Sequence, residues 1–172
     1  VNQFIAEYRQ DGTYADMRRR WFSVSAASMP DLPGPKNPSG ALIVGTEGLN
    51  EPMNYYGADG QLTGFDLEFI RRLEVALNMT IEVRAMTFDA LLASVESGKI
   101  DLLIANLNVT EERRGKILFS DDYVDSAIAV LVRKDRLPQA AKNSGARNEQ
   151  EDGIHSLRDL KGKKAGSLTG TA

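Results

Sequence analysis

The chain contains no cysteine and a single histidine, His155. The first absence excludes disulfides and thiolate chemistry and leaves the redox compartment open. With one histidine, a zinc site would have to recruit mostly carboxylates, which is rare. A Ser-His-Asp triad would have to be built on His155, which lies in a polar stretch and is a poor start for one. No run approaches the roughly 18–20 apolar residues that a membrane span needs. The net charge is −3 and no long basic block occurs, which argues against nucleic acid as a partner. The opening residues, VNQFIAEYRQDG, have no signal-peptide pattern. No cofactor and no metal are expected from these residues.

What is present is the balance of a soluble globular chain. There are 172 residues, 42 % apolar and 26 % charged, within the size of one domain. In residues 1–23, Phe4, Ile5 and Tyr8 share a helical face, and Tyr14, Met17 and Trp21 follow at i, i+3, i+7. Between them, Asp11-Gly12-Thr13 reads as a helix stop, a turn and a new N-cap at Thr13. The expectation is two short amphipathic helices that pack on a larger core. Residues 24–40 form a linker, since SMPDLPGPKNPSG holds four of the six prolines. Proline fixes φ and removes a backbone donor, so no regular element survives there.

From Ala41 strands and helices alternate. ALIVGT is a short apolar strand, and Asp59-Gly60 between extended arms signals a hairpin. FDLEFIRRLEVALN is a helix with Leu67, Ile70, Leu73 and Leu77 on one stripe, and TIEVRAM alternates as a strand. A second helix opens at the N-cap Thr87, with Phe88, Leu91, Leu92 and Val95 on one face and Gly98 as its stop. IDLLIANL reads as a continuous strand buried on both faces, and residues 127–134 as another strand. Residues 135–155 are polar and aperiodic, a flexible loop. Residues 156–172 give one helical turn and the start of a further unit. The succession over 41–134 implies a three-layer α/β/α lobe with a mostly parallel sheet and right-handed crossovers.

In such sheets ligands bind beyond the carboxyl ends of the strands. Here those ends are Thr46-Glu47, Met86-Thr87-Phe88 and Asn106-Leu107-Asn108. Beyond the last of them, Thr110 is a plausible N-cap followed by Glu111 and Glu112, with Arg113 at the third helical position. A guanidinium there, near free backbone N–H groups, suits a small carboxylate held bidentately. The competing reading is a local pair with Glu111 or Glu112 on a solvated face. Phe88 serves either as core packing or as an apolar wall beside a ligand. Glu47 either caps a local turn or receives a ligand cation or amide.

The residues LIVGTEG, GFD-E, F-ALL-S--SGKID, N-TEERR and FSD-Y together resemble the first lobe of the bacterial extracellular solute-binding proteins, family 3. These are the polar amino-acid receptors of ABC transporters, with a periplasmic-binding-protein type II-like fold. SLRDLKGKKAGSLTGT is similar to that family's entry into its second lobe. Residues 1–23 resemble its closing helices, which normally follow the second lobe, so the order here is rotated. A tandem-domain protein or a rearranged lobe would both give that order.

The resemblance implies specific roles. Arg113 would bind the ligand α-carboxylate, with the Asn108 N–H beside it. The carbonyl at Ala105 and the side chain of Asn106 would face the α-amino group. Phe88 would stack on the ligand side chain, Glu47 would read a polar tail, and Thr171 would close over the carboxylate from the second lobe. Asn50 stands where the family usually has an aromatic, and Met53 replaces a common phenylalanine, so Tyr55 or Tyr56 would have to supply the missing wall. The implied function is capture of a polar amino acid or similar zwitterion, without catalysis, in the periplasm or outside the cell. The implied partner is a transporter permease, and a helix-swapped dimer is compatible with the linker. The same fold also serves tandem sensor domains of membrane receptor kinases, and a few dehydratases.

Overall fold

The computed structural model describes residues 1–23, 28–125, 158 and 161–162. The chain divides into two compact units, Val1–Val124 and Asp125–Ala172. Among the described residues, every α-helix and strand lies in the first. The strand expected at 127–134, the loop at 135–155 and nearly all of 156–172 lie outside the described residues.

Strand β1 (Ala41–Thr46) is central. It pairs in parallel with β5 (Thr80–Ala85) along its whole length, from Ala41 opposite Thr80 to Thr46 opposite Ala85. On its other side it pairs in parallel with β6 (Leu102–Leu103). Helices α3 (Phe65–Leu77) and α4 (Phe88–Glu96) make the crossovers between these strands. Side chains alternate across a strand, so each strand feeds two cores. Leu42, Val44, Ile81, Val83, Leu102 and Ile104 pack with Phe65, Phe69, Ile70 and Leu73 of α3. Ile43, Met86, Leu103 and Ala105 pack with Leu91 and Val95 of α4 and with Ile100. Coverage on both faces explains why β1 and β6 are apolar, whereas β5, at the edge, alternates and exposes Thr80, Glu82 and Arg84.

The run IDLLIANL is not the continuous strand expected from its composition. Its ladder is short: Asp101 and Ile104 donate N–H bonds to the carbonyls of Ile43 (2.8 Å) and Gly45 (3.0 Å), flanking the paired Leu102–Leu103. At Asn106 the backbone turns left-handed, with φ of 51°. Asparagine tolerates that region better than any of the β-branched residues nearby.

A small antiparallel sheet, β2 (Leu49–Asn50), β3 (Asn54–Tyr56) and β4 (Leu62–Thr63), follows β1. Its β3–β4 turn is the hairpin that Asp59-Gly60 signals. Gly60 takes φ of 73°, and the Asp59 carboxylate accepts the Gln61 N–H at 3.0 Å. The next turn into α3 depends on Gly64, at φ of 127°. A Cβ there would lie 2.2 Å from the Met53 carbonyl oxygen. Gly64→Ala combines overpacking against backbone with a forbidden dihedral, and its expected cost is about 1–3 kcal/mol. A drop in the urea midpoint with an unchanged m-value is the expected signature.

Helices α1 (Asn2–Gln10) and α2 (Thr13–Trp21) pack on the outer side of α3. Phe4 and Tyr8 place their rings 5.2 Å and 5.4 Å from Phe69. The cap between the two helices is not the expected Thr13, which is the first helical residue. Gly12, with φ of 89°, is the N-cap, and the Asp11 carboxylate accepts the Thr13 N–H at 2.8 Å. That bond, with a further one from the Thr13 hydroxyl, holds the Asp11 carboxyl below its ordinary range.

Candidate functional site

Parallel pairing sets the ends of β1, β5 and β6 on one edge of the sheet. From that edge emerge Glu47 after β1, Phe88 at the start of α4, and residues 104–110 after β6. The last of these loops leads into α5 (Glu111–Arg114), a single turn. Thr110 is its N-cap: its hydroxyl accepts the Arg113 N–H at 3.3 Å. The cap fixes where the turn begins, and Arg113 is therefore the third helical residue.

The Arg113 guanidinium turns back over the strand ends. Its Nη1 donates to the Asn108 carbonyl at 3.0 Å, and the guanidinium carbon sits 5.4 Å from the centre of the Phe88 ring. Phe88, Asn108 and Arg113 are thus brought together, on a cation–π contact and a charge-assisted hydrogen bond. Both anchors lie outside the helix's own acids Glu111 and Glu112. Phe88 and Arg113 are half-buried and Asn108 is exposed, so the group borders solvent.

Glu47 is half-buried two residues past Gly45, and Ala105 is buried two residues past Leu103. Because Gly45 pairs with Leu103, Glu47 and Ala105 continue adjacent strands. Asn106 follows at the left-handed turn. Asn50 stands apart, in β2 opposite Asn54. Met53 is buried in the core, and Tyr55 packs against the same core. Tyr56 is 54 % exposed, and its ring edge lies 3.0 Å from where a Cβ on Gly48 would be, beside Glu47. Thr171 lies outside the described residues.

Behind the strand ends is a buried polar chain that pattern reading does not reveal. Asp66, in the first turn of α3, is completely buried. Its Oδ2 accepts Asn54 Nδ2 at 2.6 Å and its Oδ1 accepts the Tyr123 hydroxyl at 2.8 Å. Asn54 Oδ1 in turn accepts the Gly48 N–H at 2.8 Å, and Tyr123 Oη accepts the Asn106 N–H at 2.9 Å. Tyr8 donates its hydroxyl to the Tyr123 carbonyl. An acid in a first turn is ordinarily explained by the helix dipole, which hides Asp66 among unremarkable residues. The one available hint is its place beside Phe65 and Leu67, where no solvated face exists.

Burial pushes the Asp66 carboxyl up to about 6, against the opposing hydrogen bonds from Asn54 and Tyr123. Burial likewise raises the Tyr123 hydroxyl well above its ordinary range, reinforced by the Asp66 charge. An aspartate in the unfolded chain ionises near pH ~4. The folded value lies above that, so the folded state binds the extra proton in between. Stability from this group is therefore full below pH ~4 and lost as pH rises through the folded value. The expected loss is ~3 kcal/mol. Asp66→Asn should remove that slope, as read by urea unfolding at about pH 4.5 and about pH 7.

The profile of the bacterial extracellular solute-binding proteins, family 3, matches residues 42–160. The chain is 37 % identical over 132 residues to the L-cystine-binding protein TcyJ of Escherichia coli (strain K12), covering 77 % of this chain and 44 % of that protein. It is 32 % identical over 130 residues to the arginine-binding extracellular protein ArtP of Bacillus subtilis (strain 168), covering 76 % and 44 %. Among solved structures, an ancestral arginine-binding protein bound to arginine is 38 % identical, with a TM-score of 0.48 over 49 % of this chain and 38 % of that one. The chain spans less than half the length of the curated relatives it matches. With the parallel sheet and the match over most of its length, the chain belongs to the bacterial extracellular solute-binding proteins, family 3.

Proposed function

We propose that this lobe captures an amino acid or similar small zwitterion for an ABC transporter, in the periplasm or outside the cell. The observation that carries the reading is Arg113, held over Phe88 and by the Asn108 carbonyl at the carboxyl edge of a parallel sheet. That placement joins a bidentate carboxylate donor to an apolar ring. Relatives support it, among them binding proteins for cystine, arginine and histidine. In this reading Arg113 and the Asn108 N–H take the carboxylate, and Phe88 packs on the ligand side chain. Ala105 and Asn106 face the amino group, Glu47 meets a polar or cationic tail, and Asn50 flanks the entrance.

A permease is the downstream partner, and no bond of the ligand is made or broken. Tyr56, beside Gly48, supplies the aromatic wall that Asn50 lacks. The test is a heteronuclear NMR titration of the 172-residue chain with L-arginine, L-cystine and L-histidine in turn. Shifts concentrated at Phe88, Asn108 and Arg113 are expected for at least one of them. Spectra unchanged by all three would overturn the reading.

A further inference from the structure

Five groups in the buried chain are wired with one polarity. Both neighbours of Asp66 donate to it, and each then presents an acceptor outward. Asn54 Oδ1 takes the Gly48 N–H, and Tyr123 Oη takes the Asn106 N–H. A trans peptide is planar, with its carbonyl directed opposite to its N–H. Drawing the Gly48 N–H inward to Asn54 therefore turns the Glu47 carbonyl outward. Drawing the Asn106 N–H toward Tyr123 turns the Ala105 carbonyl away from it.

We propose that Asp66 is the positioning residue of the site. Resting on the amino-acid reading above, Asp66 sets the Glu47–Gly48 and Ala105–Asn106 peptide planes through Asn54 and Tyr123, and so aims two carbonyl oxygens at the ligand's cationic group.

The device works only while the Asp66 carboxylate is an acceptor on both oxygens. A proton on it creates a donor where both neighbours already donate. Asn54 cannot reverse: flipping its amide would set its NH2 against the Gly48 N–H. Tyr123 can turn its hydroxyl, but then its oxygen must accept from both Asp66 and Asn106. A proton on Oδ2 breaks the Asn54 link, and a proton on Oδ1 makes the Tyr123 oxygen accept twice while its own hydrogen loses its acceptor, so in either case the hold on one peptide plane loosens. The titratable groups facing Asp66 are Tyr123, from the segment after α5, and Tyr8 of α1 behind it. Glu68, two residues on, is engaged by Arg20 and Arg72. Burial places the Asp66 transition near pH 6.

The test needs no ligand in its first arm. In the 172-residue chain carrying His155→Gln, which removes the one histidine, the Gly48 and Asn106 amide resonances should titrate together with a midpoint near 6. Asp66→Asn should abolish both titrations. Tyr123→Phe should abolish the Asn106 response and keep that of Gly48, which a general loss of structure would not do. In the second arm, affinity for L-arginine should rise through the same midpoint, by about tenfold from low to neutral pH, the worth of about one charge-assisted hydrogen bond. Independent midpoints, or titrations that survive in Asp66→Asn, overturn the proposal. An affinity for L-arginine that is flat across a midpoint the amides do share also overturns it. Coupled amides in a chain that binds none of the amino acids would count against the amino-acid reading and leave Asp66's control of the two planes standing.

Discussion

Glu68→Ala should lower the unfolding free energy by about 3–5 kcal/mol, a large part of the stability of a domain this size. Glu68 is fully buried on α3 and accepts five hydrogen bonds. Arg20 gives two, at 2.9 and 2.6 Å; Arg72 gives two, at 2.9 and 2.8 Å; the Trp21 indole gives one, at 2.7 Å. Removing the carboxylate leaves a buried indole N–H without an acceptor and two guanidiniums, each about a quarter exposed, without their counter-charge. Arg20 keeps Asp16 at 2.7 Å, so its loss is partial. Glu68→Gln should cost less, because one oxygen still accepts.

The pH dependence separates Glu68 from its neighbour. Burial pushes the Glu68 carboxyl up, but the bonds from Arg20, Trp21 and Arg72 outweigh it and hold the group below the ordinary range. Its contribution is present above the unfolded value, near ~4.3, and lost as pH falls through the lower folded value. Asp66, with the opposite shift, loses its contribution as pH rises. Urea unfolding of wild type, Glu68→Ala and Trp21→Phe, with the double variant, closes a cycle. Simple additivity there would sink the claim that Glu68 fastens α2 to α3.

Glu68 and Asp66 also mark where the sequence stops being legible. The stripe Leu67, Ile70 and Leu73 was readable because helical periodicity is local, and the Asp59-Gly60 turn and the Thr110 cap were readable for the same reason. The two acids were not. Each lies in a helical first turn, where an acid has a bland explanation, and their partners are 48 and 57 positions away in Arg20 and Tyr123. The short ladder of β6 was hidden too, because an apolar run reports burial and not pairing. Arg113, Phe88 and Asn108 could be named from motif and strand-end logic. That Arg113 reaches the Asn108 carbonyl and the Phe88 ring depends on a fold of the loop that no spacing encodes.

The last expectation concerns that arginine. In a protein extending this chain by the second lobe of a relative, Arg113→Ala should weaken binding of a free amino acid by about 100-fold or more. Two charge-assisted bonds to a carboxylate are worth about 1.5–3 kcal/mol each, and both vanish. At 1.4 kcal/mol per tenfold, their loss predicts roughly two to four decades in Kd. Arg113→Lys tests how much of this is charge alone. An ammonium keeps the charge but gives up the planar guanidinium fork that sits 5.4 Å from the Phe88 ring centre. It should recover only part of the loss, leaving affinity between those of alanine and arginine. The same pair of variants in a ligand with its carboxylate amidated should be nearly indistinguishable from each other, since the bonds at issue are then absent in both. Calorimetry of wild type and both variants with L-arginine, and of the two variants with its amide, measures these affinities. An Arg113→Ala variant that binds L-arginine as tightly as wild type would remove Arg113 as the anchor.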